Sequence, residues 1–192
     1  MKVVIKNTKR ILDDFFKVDK SVLQYEKFDG TLSNEIIRLN FDRGDSVSAL
    51  LVDRSREVII LVKQFRFPVF TKDEKKAWLL EIVAGTIEQG NSPEETIIRE
   101  ITEESGYLIN RLETITEIFP SPGGSNEKIY IYYAEVKQDD LKEAGGGIAS
   151  EGEDIQVIEI PFEKAFQMLE SREFVDAKTI IALQWFKSFL QK

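Results

Sequence analysis

Residues 85–107 read GTIEQGNSPEETIIREITEESGY, and the fold is decided there. Ser92 stands directly before Pro93, and Glu95 follows three positions on. A serine side chain accepts from the third backbone N–H of a helix, a glutamate at that third position reaches back, and proline suits the first helical residue. The segment therefore predicts a helix from Pro93, stopped by Gly106, which can turn the chain left-handed. Positions three and four apart share a helical face. That places Glu100, Glu103 and Glu104 together on one side, while Ile97 and Ile101 line another and enter the core. Crowded carboxylates repel unless a cation binds them or water screens them. A solvated acidic face with an Arg99–Glu103 pair accounts for the same charges. The glycine-bearing loop before this helix and the glycine after it are what set it apart.

Working outward, the chain alternates strands and helices. Val58–Val62 is continuously apolar, which predicts a central strand buried on both faces. Val47–Val52 forms its hairpin partner across Asp53-Arg54-Ser55-Arg56, and Trp78–Val83 reads as a further strand ending at Ala84-Gly85. Downstream, strands are expected near 114–119, 128–137 and 155–160, a helix from Pro161 to about Ser171, and a last helix capped by Asp176 and reaching Leu190. The expected class is α/β, a mixed central sheet sandwiched between helices. Residues 1–43 read differently, as a β-rich arm with short strands at 15–19, 22–26 and 34–41 and a turn at Asp29-Gly30. The expected division is an arm over 1–43 and a main α/β domain over 44–192.

Composition narrows the chemistry. The chain has 192 residues, no Cys and no His. Disulfides, thiol nucleophiles, imidazole bases and zinc sites built on Cys or His are therefore excluded. Carboxylate oxygens are hard donors that suit magnesium, with manganese able to substitute. A formal charge of −8 argues against a general nucleic-acid partner. No apolar run approaches a membrane span and no secretory signal is visible, so a cytoplasmic protein is expected.

The segment resembles the Nudix box, G-x5-E-x7-R-E-U-x-E-E-x-G-U, where U is a bulky apolar residue. Gly85, Arg99, Glu100, Ile101, Glu103, Glu104 and Gly106 fall at the required spacings, and Tyr107 fills the last apolar place. Asn91 departs from it, standing where the box has a glutamate that braces the arginine. WLLEIVAGTIEQG, SPGG and EGED extend the likeness to the branch of the family acting on ADP-ribose and other nucleoside diphosphate sugars. The resemblance implies a hydrolase with metal ligands at the Ala84 carbonyl, Glu100, Glu104 and Glu153, and catalytic roles for Glu103 and Arg99. It implies a general base at Glu151, with the roles of Glu151 and Glu153 exchangeable. Residues 145–154 are then a loop that closes over substrate.

For substrate contacts the resemblance implies Arg66 on the phosphates, Phe16 and Arg38 on the base, Glu81 accepting from the base, Glu127 on the distal sugar, and Lys178. Alternatives read Arg66 as an edge charge, Phe16 as ordinary packing, and Glu81 and Glu127 as surface acids. Relatives pair their arms across a two-fold axis, so a homodimer is expected. ADP-ribose, giving AMP and ribose 5-phosphate, is the leading substrate. Gly145-Gly146-Gly147 and Asp176-Ala177-Lys178-Thr179 look more like GDP-mannose hydrolases. Two other classes remain open, a non-catalytic Nudix-fold nucleotide sensor and a plain structural domain with an acidic helix.

Overall fold

Runs of apolar residues fill the middle of the main sheet, and alternation decides which helix each side chain meets. The computed structural model describes residues 1–191 apart from the side chain of Glu151. Two compact units are present: Met1–Asp45 with Phe119–Lys128, and Ser46–Ile118 with the chain from Ile129 onward.

The second unit holds a seven-stranded mixed sheet. Its strands are β4 (Ser46–Asp53), β5 (Val58–Phe65), β6 (Trp78–Glu81), β7 (Val83–Thr86), β8 (Glu113–Ile118), β9 (Ile129–Glu135) and β10 (Ile155–Pro161). The order is β10-β5-β4-β9-β8; β4 and β9 run parallel and the other pairs antiparallel. β4 and β5 pair only near their turn, Leu51–Asp53 against Val58–Ile60. Beyond that point they part, β6 pairing with β5 and β7 with β4. The stretch expected as one strand over 78–83 is thus two, divided at Ile82. The Ile82 N–H donates to the Thr179 hydroxyl at 2.9 Å, and that bond replaces a sheet bond at the division.

Side chains alternate across the sheet. Val47, Ala49, Leu51, Ile60 and Val62 pack with Ile97 and Ile101 of helix α2 (Pro93–Glu100) and the turn that prolongs it. Leu50, Val52, Ile59 and Leu61 pack on the other face with Ala165 of α3 (Phe162–Glu170) and Ala182, Leu183 and Phe186 of α4 (Ala177–Phe189). Burying a side chain of this size stabilises the fold by roughly 1.5–3 kcal/mol. A four-residue helix, α1 (Phe67–Phe70), follows β5; nothing in the apolar periodicity announces it. Among the described residues no helix is long and apolar enough to cross a membrane.

The first unit carries an antiparallel sheet of β1 (Val3–Asp13), β2 (Lys17–Tyr25) and β3 (Ile36–Asp42). β1 adds to the expected strands, because its apolar and polar residues do not alternate cleanly. Strand β2 is continuous across two stretches that read as separate in the sequence. Phe15-Phe16 lie in the turn before it, where the Asp14 N–H donates to the Phe16 carbonyl at 3.1 Å. The Ser121–Ser125 turn is tied to β3 by the Phe41 N–H on the Gly124 carbonyl and the Ser125 hydroxyl on the Phe41 carbonyl, both 2.8 Å.

Candidate active site

The start of α2 forms as its caps require. Ser92 Oγ accepts from the Glu95 N–H at 3.2 Å, and Glu95 accepts from the Ser92 N–H at 3.0 Å. The helix widens into a π turn over Ile101–Ser105 and ends at Gly106 with φ +77°. A β-carbon at Gly106 would lie 2.1 Å from the Glu143 carbonyl oxygen, so glycine is demanded by packing as well as by φ.

The helix sends two acids inward. Glu104 is 2% exposed, and its Oε2 accepts from the Ala84 N–H at 3.2 Å. Burial pushes its pKa up to about 8; the Ala84 bond and the charge of Arg66 act the other way, while Glu100 and Glu153 add to the rise. Glu100 is 8% exposed and raised to about 7 by burial, with Arg99 opposing and Glu103 and Glu153 reinforcing. Buried acids titrating near neutrality mark functional clusters. Gly85 on β7 makes room for them: a β-carbon there would lie 2.1 Å from the Glu100 carboxyl carbon.

Arg99 braces the outer side. Its Nη2 donates to Glu100 Oε1 at 2.8 Å and its Nη1 to Glu103 Oε2 at 2.5 Å. The Arg99–Glu103 pair is therefore present, and through Arg99 it is joined to Glu100. Glu88 also acts on Arg99 electrostatically, and the Asn91 N–H closes a turn onto the Glu88 carbonyl at 3.1 Å. Asn91 thus leaves an arginine that other acids hold.

The loop before β10 docks on the end of this helix. The Gly146 N–H donates to the Glu104 carbonyl at 2.9 Å and the Gly147 N–H to the Glu103 carbonyl at 3.0 Å. Gly145, Gly146 and Gly147 all have positive φ. A β-carbon on Gly145 would come within 2.6 Å of the Glu104 carbonyl oxygen, and one on Gly147 within 2.5 Å of Glu153 Oε2. Close approach thus demands glycine at both positions. Glu153 Oε2 accepts from the Ile148 N–H at 2.9 Å. The Glu151 side chain lies outside the described residues.

Beside Glu104 stands a second cluster. Arg66 grips Glu81 with two bonds, Nε to Oε1 at 2.8 Å and Nη2 to Oε2 at 3.1 Å. The Lys178 ammonium also donates to Glu81 Oε2 and, at 2.8 Å, to Asp176 Oδ1. Burial alone would raise the Glu81 pKa, but Arg66 and Lys178 outweigh it and bring it to about 2. At 2% exposure Glu81 is no surface acid. Nor is Glu127, which is 7% exposed with Arg43 at 3.6 Å.

The structure brings Ala84, Arg99, Glu100, Glu103, Glu104 and Glu153 together, with Arg66, Glu81 and Lys178 alongside. Phe16, Arg38 and Glu127 belong to the first unit. Phe16 packs there against Phe15 and Phe41, with the Arg43 guanidinium 5.6 Å from its ring centre. Arg38 is exposed and donates to the Ile37 carbonyl at 2.9 Å. Among the described residues no three acids already form a metal-ligand cage. The donors nonetheless suit a hard cation: Glu100 Oε2 and Glu104 Oε1 have no protein partner among those residues, and both acids sit where a positive charge would relieve their burial.

An acidic helix held against a glycine-bearing strand, inside an α/β/α sandwich, is a Nudix arrangement, and the NUDIX domain model matches residues 42–183. The chain belongs to the Nudix family. It is 36% identical to a GDP-mannose pyrophosphatase of Pectobacterium atrosepticum over 176 residues, 92% of this chain and 89% of that one. It is 37% identical to an ADP-ribose pyrophosphatase of Escherichia coli over 173 residues, 89% of this chain and 81% of that one. Its fold matches a crystal structure of an ADP compounds hydrolase with a TM-score of 0.73 at 21% identity, covering 100% of this chain and 95% of that one.

Proposed function

We propose that this protein is a magnesium-dependent hydrolase that cleaves the pyrophosphate bond of a nucleoside diphosphate sugar, with ADP-ribose the leading substrate. The observation that carries the reading is the burial of Glu100 and Glu104 beside Gly85, within electrostatic reach of Glu153. Ala84, Glu100, Glu104 and Glu153 would hold the cation. Magnesium, or manganese in its place, supplies the positive charge that offsets a diphosphate and acidifies the attacking water.

The remaining work falls to the chain. Arg99 holds Glu100 and Glu103 in place. Glu151 takes the proton of the attacking water in this proposal, or Glu153 does if the two exchange roles. Arg66 keeps its Nη1 group uncommitted among the described residues and turns it to the phosphates. Glu81 braces Arg66 through both its oxygens, and its contact with the base stays part of the proposal. Phe16, Arg38 and Glu127 stay assigned to the nucleotide and sugar, in a homodimer joined through the arms.

The likeness of Gly145-Gly146-Gly147 and Asp176-Ala177-Lys178-Thr179 to GDP-mannose hydrolases supports that substrate as a second reading, and the relatives named above divide between the two. Initial rates on ADP-ribose, GDP-mannose and UDP-glucose with magnesium test the order. A tenfold preference for GDP-mannose, on the order of 1.4 kcal/mol in transition-state binding, would reverse it.

A further inference from the structure

A lysine in the first turn of a helix stands against the positive end of the helix dipole and needs a reason to be there. Lys178 is the second residue of α4, and its side chain is only 12% exposed. The reason is Asp176. A capping aspartate needs one oxygen for its helix: Asp176 Oδ2 accepts from the Thr179 N–H at 2.9 Å and from the Thr179 hydroxyl at 2.5 Å. Its other oxygen, Oδ1, accepts from the Lys178 ammonium. The cap thus spends its second oxygen on aiming a cation.

Lys178 points from there at Glu81, and Glu81 is the carboxylate that fixes the Arg66 fork. The adjacent residue repeats the join, since Thr179 Oγ1 accepts from the Ile82 N–H. Two neighbouring residues of α4 are stitched to two neighbouring residues at the β6–β7 division. Charges balance along the chain Asp176, Lys178, Glu81, Arg66, two negative and two positive. Glu81 therefore neither pulls Arg66 inward as an unopposed anion nor swings free of it. A bidentate pair fixes a guanidinium plane in a way a single bond does not.

We propose that Asp176 is a positioning residue for substrate binding: through Lys178 and Glu81 it sets the orientation in which Arg66 offers its free N–H groups to the diphosphate. This rests on the hydrolase reading given above. Asp176→Asn separates the two roles of the residue. Asparagine caps a helix as well as aspartate does, but it turns an N–H donor toward Lys178 where an acceptor stood.

The test is steady-state hydrolysis of ADP-ribose with magnesium by the full chain, as a cycle of Asp176→Asn, Arg66→Ala and the double variant, with thermal unfolding of each. KM is expected to rise about fivefold in Asp176→Asn while kcat stays within about twofold, as for lost uniform binding. In the Arg66→Ala background the same change is expected to cost less than about 1.5-fold, because the two act as one unit. An unaltered KM, or an equal loss with and without Arg66, overturns the proposal and leaves Asp176 a helix cap. If Asp176→Asn unfolds, Lys178→Gln reads the same chain of bonds with the cap intact. If the wild-type chain hydrolyses no nucleoside diphosphate sugar, the hydrolase reading fails instead. Calorimetric titration with inorganic pyrophosphate and magnesium then decides the inference, weaker binding by Asp176→Asn supporting it and equal binding overturning it.

Discussion

Glu104 holds a carboxyl group where water scarcely reaches, and the cost of ionising it there gives a test that needs no substrate. An unfolded glutamate titrates near 4.5, whereas burial and the neighbouring acids bring folded Glu104 to about 8 and Glu100 to about 7. Below 4.5 both states hold the proton and the groups add nothing to the pH dependence. From there to about 8 the unfolded chain releases protons that the folded chain retains, so stability falls as pH rises, and above 8 the loss is complete. Thermal unfolding in chelator should show that decline, and magnesium should reverse it at pH 8. Glu104→Gln keeps an oxygen for the Ala84 N–H but has no proton to lose. Its metal-free unfolding profile should be flatter, and its turnover lower by at least about 100-fold. A profile as steep as the wild type's would place the shift elsewhere. Gly85→Ala addresses the same pair by size. The added methyl would sit 2.1 Å from the Glu100 carboxyl carbon, and the flexible acid yields more readily than the strand. Stability should change by about 1 kcal/mol, with activity down about 100-fold. Full activity in this variant would remove Glu100 from the metal site.

At the scale of elements, the end of the box helix is where glycine answers to the backbone. Gly106 has φ +77° and its missing side chain faces the Glu143 carbonyl, which belongs to the main chain and has little freedom to move. Gly90 has φ +96° with nothing within 4 Å of its absent β-carbon. Gly90→Ala should therefore show the cost of the dihedral alone, about 1 kcal/mol, and Gly106→Ala that cost plus the clash, about 3 kcal/mol or more by urea unfolding. Equal losses would mean that Glu143 is free to give way. These same elements show how far the sequence could be read. Ser92, Pro93, Glu95 and Gly106 act within one helix, so spacing was enough to place its start and its stop. The alternating faces of β4 and β5 were legible for a similar reason, because period two is local. The division of 78–83 at Ile82 was not, since its cause is a hydroxyl 97 residues away on α4. The joint role of Glu81 and Asp176 was hidden in the same manner, because the Lys178 that links the two lies 97 residues from Glu81. A lysine two positions after a capping Asp was the available signal.

At the scale of the whole molecule, the first unit poses a problem of exposed surface. Its three strands leave Val3, Ile5, Ile11, Leu12, Ile37 and Leu39 each about half exposed or more. A sheet of this size gains little stability unless one face is covered. Val3 and Ile5 pair with Tyr25 and Leu23, and Leu23 with Ile36, so Val3 and Ile5 lie on the face opposite Ile37 and Leu39. The register sets Ile37 across from Val22 and Leu39 across from Lys20, so Ile37 and Leu39 share one face of β3. If a second copy covers that face, light scattering on the full chain at tens of micromolar should give twice the single-chain mass of 22.1 kDa. Replacing both residues, Ile37→Lys with Leu39→Lys, should return the single-chain mass, because burying two lysines without partners costs several kcal/mol. The double variant should stay folded, since both positions are exposed within one chain. Kinetics then separate a dimer that only stabilises from one that completes the site. Phe16 and Arg38, the residues assigned to the base, lie on the arm; if a partner's arm supplies them, the single-chain variant should show KM for ADP-ribose raised about tenfold with its magnesium dependence unchanged. A wild-type chain that runs at single-chain mass under these conditions ends the dimer proposal, and the apolar face of β3 then has to be covered by something other than a second copy.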